Sequence, residues 1–412
     1  MSFQDIRAHI SSVPEFRFTY SPMSASSEPA RNALPILPAV TGGRLASLDL
    51  FRGATIAAMI LVNIPGNEDA AYWPLKHAEW NGWTPTDLIF PFFLFIVGVS
   101  LVFSFASRLK RGDSRTALLL HTFRRSAIIA AIGLGLNALF AMDFRMLRIP
   151  GVLQRIALCY LVAAILFLCL GRQGRAMVAG ALLLGYWILM CFVPVPGFGL
   201  PGRDVPLLHP DWNLAAYLDR KLVIGQLYEG TRDPEGLLST LPAIATTLLG
   251  VFTGEWLRSK NSPQKKAAWM LISGLAGLAL GCVWGVWFPI NKKLWTSSYV
   301  LFTGGFALVC LAVCYWANDI RNWRGAWTKP FVIFGANAIA AYMIHIILAV
   351  CIYSFHAQLD GRTLNGQDYL FQRFFAPLTG PSFASLLYSV AFVLVCFLPI
   401  WLMYRKRIFL KV

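Results

Sequence analysis

With 412 residues, 57% of them hydrophobic, 14% aromatic and only 14% charged, and a mean hydropathy of +0.58, the chain is far too apolar for a string of soluble domains, which average about 25% charged. The formal net charge of +16 would fit nucleic acid in a soluble protein. Here the basic residues cluster between apolar runs, so they read as loops on one side of a lipid bilayer and no nucleic-acid partner is expected. The class this leaves is all-α: a polytopic membrane helix bundle with about ten transmembrane helices.

In chain order, residues 1–43, which include SPMSASSEPA, read as a polar, mobile tail with no apolar run long enough for a cleavable signal peptide. A transmembrane domain follows over 44–412. Apolar runs near the ~20 residues needed to cross the hydrocarbon core fall at 47–65, 85–106, 123–141, 152–171, 175–194, 238–257, 267–287, 296–316, 329–354 and 383–404. The fourth and fifth are separated only by GRQGR, a tight turn. No heptad seam and no repeat of about 20–50 residues stands out, which argues against coiled coils and solenoids.

Orientation follows from Lys and Arg between the runs, because cytoplasmic loops carry the excess. The tail, the even-numbered loops and the C-terminal segment hold 23 basic residues, with Arg108, Lys110, Arg111, Arg115, Arg124 and Arg125 forming the densest group; the alternate loops hold 11. Both termini are therefore expected in the cytoplasm. The loop around residues 66–82 is expected outside, and with it His77.

The eight cysteines all fall in apolar runs and form no CxxC pair, so they read as small packing residues. No His/Cys/Asp cluster has metal-ligand spacing, and no metal is expected. No phosphate-loop, nucleophile-elbow or dinucleotide fingerprint is present either. What remains is a set of polar groups at membrane depth or at its edges, where they are costly and mark candidate sites.

Asp49 and Arg52 sit at i and i+3, which a plain salt bridge would explain. Asn63 ends the first run and could simply cap it. His77 lies in a tryptophan-rich loop of a kind that often only anchors at headgroups. Asp87 opens the second run, where a carboxylate suits a helix N-terminus. Arg148, Gln154 and Arg155 bracket the start of the fourth run, and an arginine inside a span needs a partner or a watery cavity. Asn337, Tyr342 and His345 are expected on one helical face, about two turns end to end, where a buried hydrogen bond between helices is the plain alternative.

The stretches SLDLFRG, LVN, KHAEWNGWTPTDLIFPFFLFIVG, RIPGVLQRIALCY, DPEGLLSTLPAIATTLLGVFTGEW, NKKLWTSSYVL and FGANAIAAYMIH resemble the heparan-alpha-glucosaminide N-acetyltransferase family. They occur in the family's order from about residue 44 to 350; the last run resembles it only in character. Lysosomal members of that family carry a further N-terminal lumenal domain and one more span. The shorter pattern here resembles the bacterial-type members associated with amino-sugar use, so a small amino sugar or glycan end, rather than heparan sulfate, is expected as the acceptor.

The resemblance implies a transmembrane enzyme that takes acetyl from cytosolic acetyl-CoA and delivers it to the amino group of a glucosamine-type sugar across a bacterial inner membrane, and it implies a homodimer. The family's catalytic histidine corresponds to His77 and its catalytic asparagine to Asn63. Histidine titrates nearest neutrality and so suits deprotonation of an attacking amine; it could equally carry the acetyl group as a nucleophile. Asn63 could donate to the thioester oxygen as that becomes negative. The basic loop of Arg108–Arg125, with Arg124 and Arg125 foremost, is a candidate for CoA phosphates, although topology alone would also explain it. Asp49, Arg52, Asp87, Arg148, Gln154, Arg155, Asn337 and His345 are candidates to support or line the site. A permease for amino sugars or other small solutes is the rival reading, since about ten spans with buried polar groups also describe transporters. No inverted repeat supports it, and the polar signal gathers in the first four runs. A non-enzymatic scaffold would not need the buried arginine and asparagine.

Overall fold

The computed structural model describes residues 45–140, 147–323 and 325–410; the expected tail at 1–43 lies outside the described residues. Every apolar run forms helix. The helices are α1 Ala46–Asn63, α2 Ile89–Lys110, α3 Arg115–Phe140, α4 Val152–Cys169, α5 Arg172–Phe192, a short α6 Leu214–Leu222, α7 Thr240–Leu257, α8 Pro263–Gly285, α9 Ser297–Tyr315, α10 Lys329–Ala336, α11 Ala338–Ser354, a one-turn α12 Gly366–Leu370 and α13 Pro381–Arg405. An antiparallel hairpin of β1 His356–Leu359 and β2 Arg362–Asn365 pairs His356 with Asn365. The protein is an all-α, multi-pass membrane protein.

The expected count of about ten compares with eight or nine such helices among the described residues. Eight helices are long and apolar enough to cross a bilayer, and α10 with α11 makes a ninth, bent by 82°. The run expected at 238–257 is helical as α7 but is not one of these. Its polar content explains the difference: Thr246, Thr247 and Thr253 lie inside the bundle and return their hydroxyls to the carbonyls of Pro242, Ala243 and Leu249. Packed against α2, α4 and α5, this helix needs less lipid-facing apolar surface than its neighbours.

Two expectations change. Helix α3 starts at Arg115, not 123, because the TALLLHT stretch is good helix former and Ser114 caps it through the Ala117 N–H at 3.1 Å. The long basic loop thus shrinks to residues 111–114, and Arg124 and Arg125 sit in the third turn of a helix. The run at 329–354 breaks at Asn337, whose backbone leaves the helical region at φ −127° and ψ 44°. Asn337 and His345 therefore share no continuous helical face. The Asn337 amide instead donates to the Ile408 carbonyl at 3.0 Å and accepts from the Leu410 N–H at 3.0 Å, clasping the segment after α13.

Three helix pairs meet at backbone contact, where only glycine fits. A Cβ on Gly53 of α1 would lie 1.6 Å from the Phe331 carbonyl of α10. One on Gly98 of α2 would lie 2.0 Å from the Thr247 carbonyl of α7, and one on Gly305 of α9 would lie 2.6 Å from the Gly274 carbonyl of α8. In lipid, where apolar burial between helices gives little, such close approach supplies the packing. Successive helices alternate in direction, so the loops 64–88, 147–151, 193–239, 286–296 and 355–380 gather at one end of the bundle. There the Gly82 N–H reaches the Ile290 carbonyl at 2.7 Å, Trp80 donates to the Leu208 carbonyl at 2.8 Å and Gln367 to the Pro65 carbonyl at 2.9 Å.

Candidate active site

The loop before α2 is folded around one carboxylate. Thr84 caps a 3₁₀ turn, Pro85–Leu88, in which Asp87 is the third residue, and the two complete a capping box. Asp87 Oδ2 accepts the N–H groups of Ala78 at 3.1 Å and Thr84 at 3.0 Å. Its Oδ1 lies 2.7 Å from His77 Nδ1, and the Tyr299 hydroxyl donates to the Asp87 carbonyl. The Asp87 side chain is 1% exposed and that of His77 is 50% exposed, so a buried anchor presents a histidine to the open side. A carboxylate held by this many donors only accepts. His77 Nδ1 must then carry the ring proton, which leaves the Nε2 lone pair available.

A third charged group completes this cluster. Lys292 Nζ lies 2.9 Å from His77 Nδ1, 3.2 Å from Nε2 and 3.5 Å from Asp87 Oδ1. It comes from the loop between α8 and α9, which Asn291 ties down. The Asn291 N–H bonds Thr296 Oγ1 at 3.0 Å, its Oδ1 accepts the Leu294 N–H at 2.9 Å, and its amide donates to Asn81 at 3.2 Å. Burial pushes the Lys292 ammonium below the usual lysine range, opposed by the charges of Asp87 and Glu235. Nothing in the sequence singles Lys292 out beyond its place in NKK, since 215 residues separate it from His77.

Beside this cluster lies a network from the 193–239 segment. Arg148 makes a two-pronged contact with Asp233, at 2.7 and 2.6 Å, and also pairs with Glu235. Burial opposes its charge, but Asp233 and Glu235 hold the guanidinium above its ordinary value. Asp219 is buried; burial pushes its carboxyl up to about 6, against the stabilising Leu237 N–H and reinforced by Asp233. Arg155 is buried, donates to Ser239 Oγ and to the Gly236 carbonyl at 3.0 Å, and lies over the Trp295 ring at 5.3 Å. Among the described residues its Nε and Nη1 have no hydrogen-bond partner, and neither has the buried Nε2 of Gln154.

The other sequence candidates are placed as follows. Asn63 closes α1, exposed, with its amide 3.5 Å from His345 Nε2; the pair it forms is with His345, not His77. The Tyr342 and His345 rings stand 5.2 Å apart. Asp49 and Arg52 form the salt bridge read from their spacing, at 2.9 Å, and Arg52 also donates to Ser100 at 2.7 Å. They sit near the opposite end of α1 and take no part in the His77 cluster. Arg125 lies over the Tyr160 ring at 4.9 Å, with its Nε and the Tyr160 hydroxyl both buried and without a hydrogen-bond partner among the described residues. Asn337 serves the C-terminal clasp. Among the described residues no group of His, Cys, Asp and Glu could hold a metal ion.

Residues 44–280 match the family model of the heparan-alpha-glucosaminide N-acetyltransferase catalytic region. The chain is 34% identical over 377 residues to the human heparan-alpha-glucosaminide N-acetyltransferase, covering 79% of this chain and 55% of that protein. It is 33% identical over 361 residues to the mouse protein of the same name, covering 75% and 54%. It thus spans about half the length of the curated relatives it matches. The matched segment contains His77, Asp87 and the network around Arg148, and it ends before Lys292 and Tyr299. The chain belongs to the heparan-alpha-glucosaminide N-acetyltransferase catalytic family.

Proposed function

We propose that the protein is a transmembrane N-acetyltransferase that moves acetyl from cytosolic acetyl-CoA to the amino group of a glucosamine-type sugar at the outer face of a bacterial inner membrane. The observation that carries this reading is the exposed imidazole of His77, fixed in one tautomer by the buried Asp87, in a chain of this family. His77 Nε2 has two routes. As a base it takes a proton from the acceptor's amine while nitrogen bonds to the carbonyl carbon, and it returns a proton to the sulfur as the C–S bond breaks. As a nucleophile it bonds to the carbonyl carbon itself and CoA leaves as a thiolate; the amine then displaces the imidazole, and the amine's proton ends on the thiolate or in water. Asp87 stabilises the imidazolium of the first route and the ring orientation of both. Asn63, 3.5 Å from His345, is a lining donor at the same end of the bundle.

Acetyl-CoA would supply the activated acyl group as a thioester. The unpartnered buried donors Arg125 Nε, Gln154 Nε2 and Arg155 Nε and Nη1 fit a ligand rich in acceptor oxygens, and Arg124 and Arg125 are the candidates for its phosphates. Replacing both by Ala should raise the KM for acetyl-CoA at least 10-fold and spare the acceptor's KM, since one charge-assisted contact is worth about 1.5–3 kcal/mol. An unchanged donor KM would return both arginines to a purely topological role.

The reading is tested directly by incubating the purified protein in detergent with labelled acetyl-CoA and glucosamine, where labelled N-acetylglucosamine is expected. A permease would give none. Sidedness has its own test. In a background lacking the native cysteines, Glu68→Cys should react with an impermeant thiol reagent added outside intact cells, and Gly112→Cys should not. The opposite labelling would overturn the transfer across the membrane while leaving the chemistry in place.

A further inference from the structure

We propose that Lys292 is the group that stabilises the acyl oxygen during transfer, a catalytic residue beside His77; this rests on the acetyltransferase reading above. The geometry is specific. Asp87 occupies the Nδ1 proton, so acyl chemistry at His77 happens at Nε2, and Lys292 Nζ stands 3.2 Å from that atom. A carbonyl carbon within reach of Nε2 puts its oxygen, one bond further, within hydrogen-bond range of the same ammonium. No other cation lies within hydrogen-bond distance of His77 among the described residues.

Charge supports the same role. Lys292 is paired at 3.5 Å with Asp87, itself 1% exposed, and its own side chain is only 20% exposed. The ammonium is thus held where water screens it little, the condition under which a fixed donor contributes most to a developing negative charge. The groups facing it are His77, Asp87 and, electrostatically, Glu235 and Lys293. Lys293 itself turns away to Glu229 at 2.9 Å, so the two neighbouring lysines have separate tasks. When the tetrahedral oxygen forms, Lys292 donates to it through N–H; when the C=O bond re-forms that contact weakens, and the donor returns to Nε2 once the nitrogen has given up its acyl group or proton. No proton need change owner at Lys292 in either step.

The assignment differs from one based on Asn63, whose amide faces His345. It is tested on the full-length protein with labelled acetyl-CoA and glucosamine, comparing Lys292→Met, Lys292→Arg and Lys293→Met. Lys292→Met should lower kcat about 10²–10³-fold and leave the acetyl-CoA KM within about threefold, because the interaction forms only as charge develops. Lys292→Arg, which keeps the charge, should recover at least about tenfold over Met, and Lys293→Met should stay within about threefold of the unmutated protein. A thermal-unfolding midpoint measured alongside separates chemistry from folding: if Lys292→Met unfolds early, the Arg variant decides, and a folded Arg variant as slow as Met overturns the role. A Lys292→Met protein with normal kcat, or one whose loss is all in KM, overturns it too. No transfer by the unmutated protein would instead overturn the acetyltransferase reading, and the role with it.

Discussion

His77→Ala should lower acetyl transfer by at least about 10²–10⁴-fold, the range for removing a general acid–base group, while expression, detergent behaviour and CoA binding persist. Persistence is expected because the imidazole is half exposed and fills no core; its removal leaves Asp87 still bonded to Ala78 and Thr84 and facing Lys292. The loss is expected because, among the described residues, no other imidazole stands beside Asp87 to take over. His345 is buried and bonded to Asn63. The measurement is steady-state transfer from labelled acetyl-CoA, with a quench step to look for acetyl on the protein. Label trapped on the unmutated chain and absent from His77→Ala would select the nucleophilic route. Near-normal turnover in the variant would make the histidine an interfacial anchor and sink the assignment.

Asp87→Asn should cost a comparable factor, about 10²–10⁴-fold in kcat, although the change is nearly isosteric. The reason is directional. The Ala78 and Thr84 N–H groups both point at Oδ2, so in the variant the amide oxygen must take that place and the NH₂ must face His77. An NH₂ donates, so His77 Nδ1 must then accept, and the ring proton moves to Nε2, where it blocks both base and nucleophile; a wrong-tautomer substitution of this kind in a serine protease costs about 10⁴. The capping box keeps its carbonyl acceptor, so the loop should fold. Lys292 loses its counter-charge as well. Asp87→Asn with turnover within about tenfold of the unmutated protein would show that the carboxylate positions the loop and not the tautomer.

The bundle was legible because a helix that meets lipid needs about 20 apolar residues in a row, and nothing else in a sequence looks like that. The run at 238–257 was legible too, although threonine-rich α7 packs mostly against protein. The start of helix α3 is hard to read, because its first two turns hold Arg115 and His121, yet they are helical. With the helix starting at Arg115, Arg124 and Arg125 leave the basic loop and sit in its third turn. His77 was legible as a catalytic candidate only through the family resemblance, because by residue type alone it reads as a headgroup anchor, and Asp87 by type alone reads as a helix N-terminal carboxylate. Lys292 was not legible, since a lysine in a loop is ordinary until the α8–α9 turn brings it over the imidazole. The Asn337–His345 face failed because periodicity assumes an unbroken helix, and a side chain that bonds another segment's backbone permits a break that sequence spacing does not reveal.

The clasp at that break carries a practical consequence for protein engineering. Asn337 holds both the carbonyl of Ile408 and the N–H of Leu410, so these late residues act as a splint for the kinked α10–α11 segment, whose α11 carries His345. A fluorescent reporter or affinity handle joined directly behind Leu410 would tug on that splint. A reporter set off by a flexible spacer would spare it, and trimming the chain back to Arg405 would strip Asn337 of both partners, leaving an amide at the bend with only lipid or water to satisfy it.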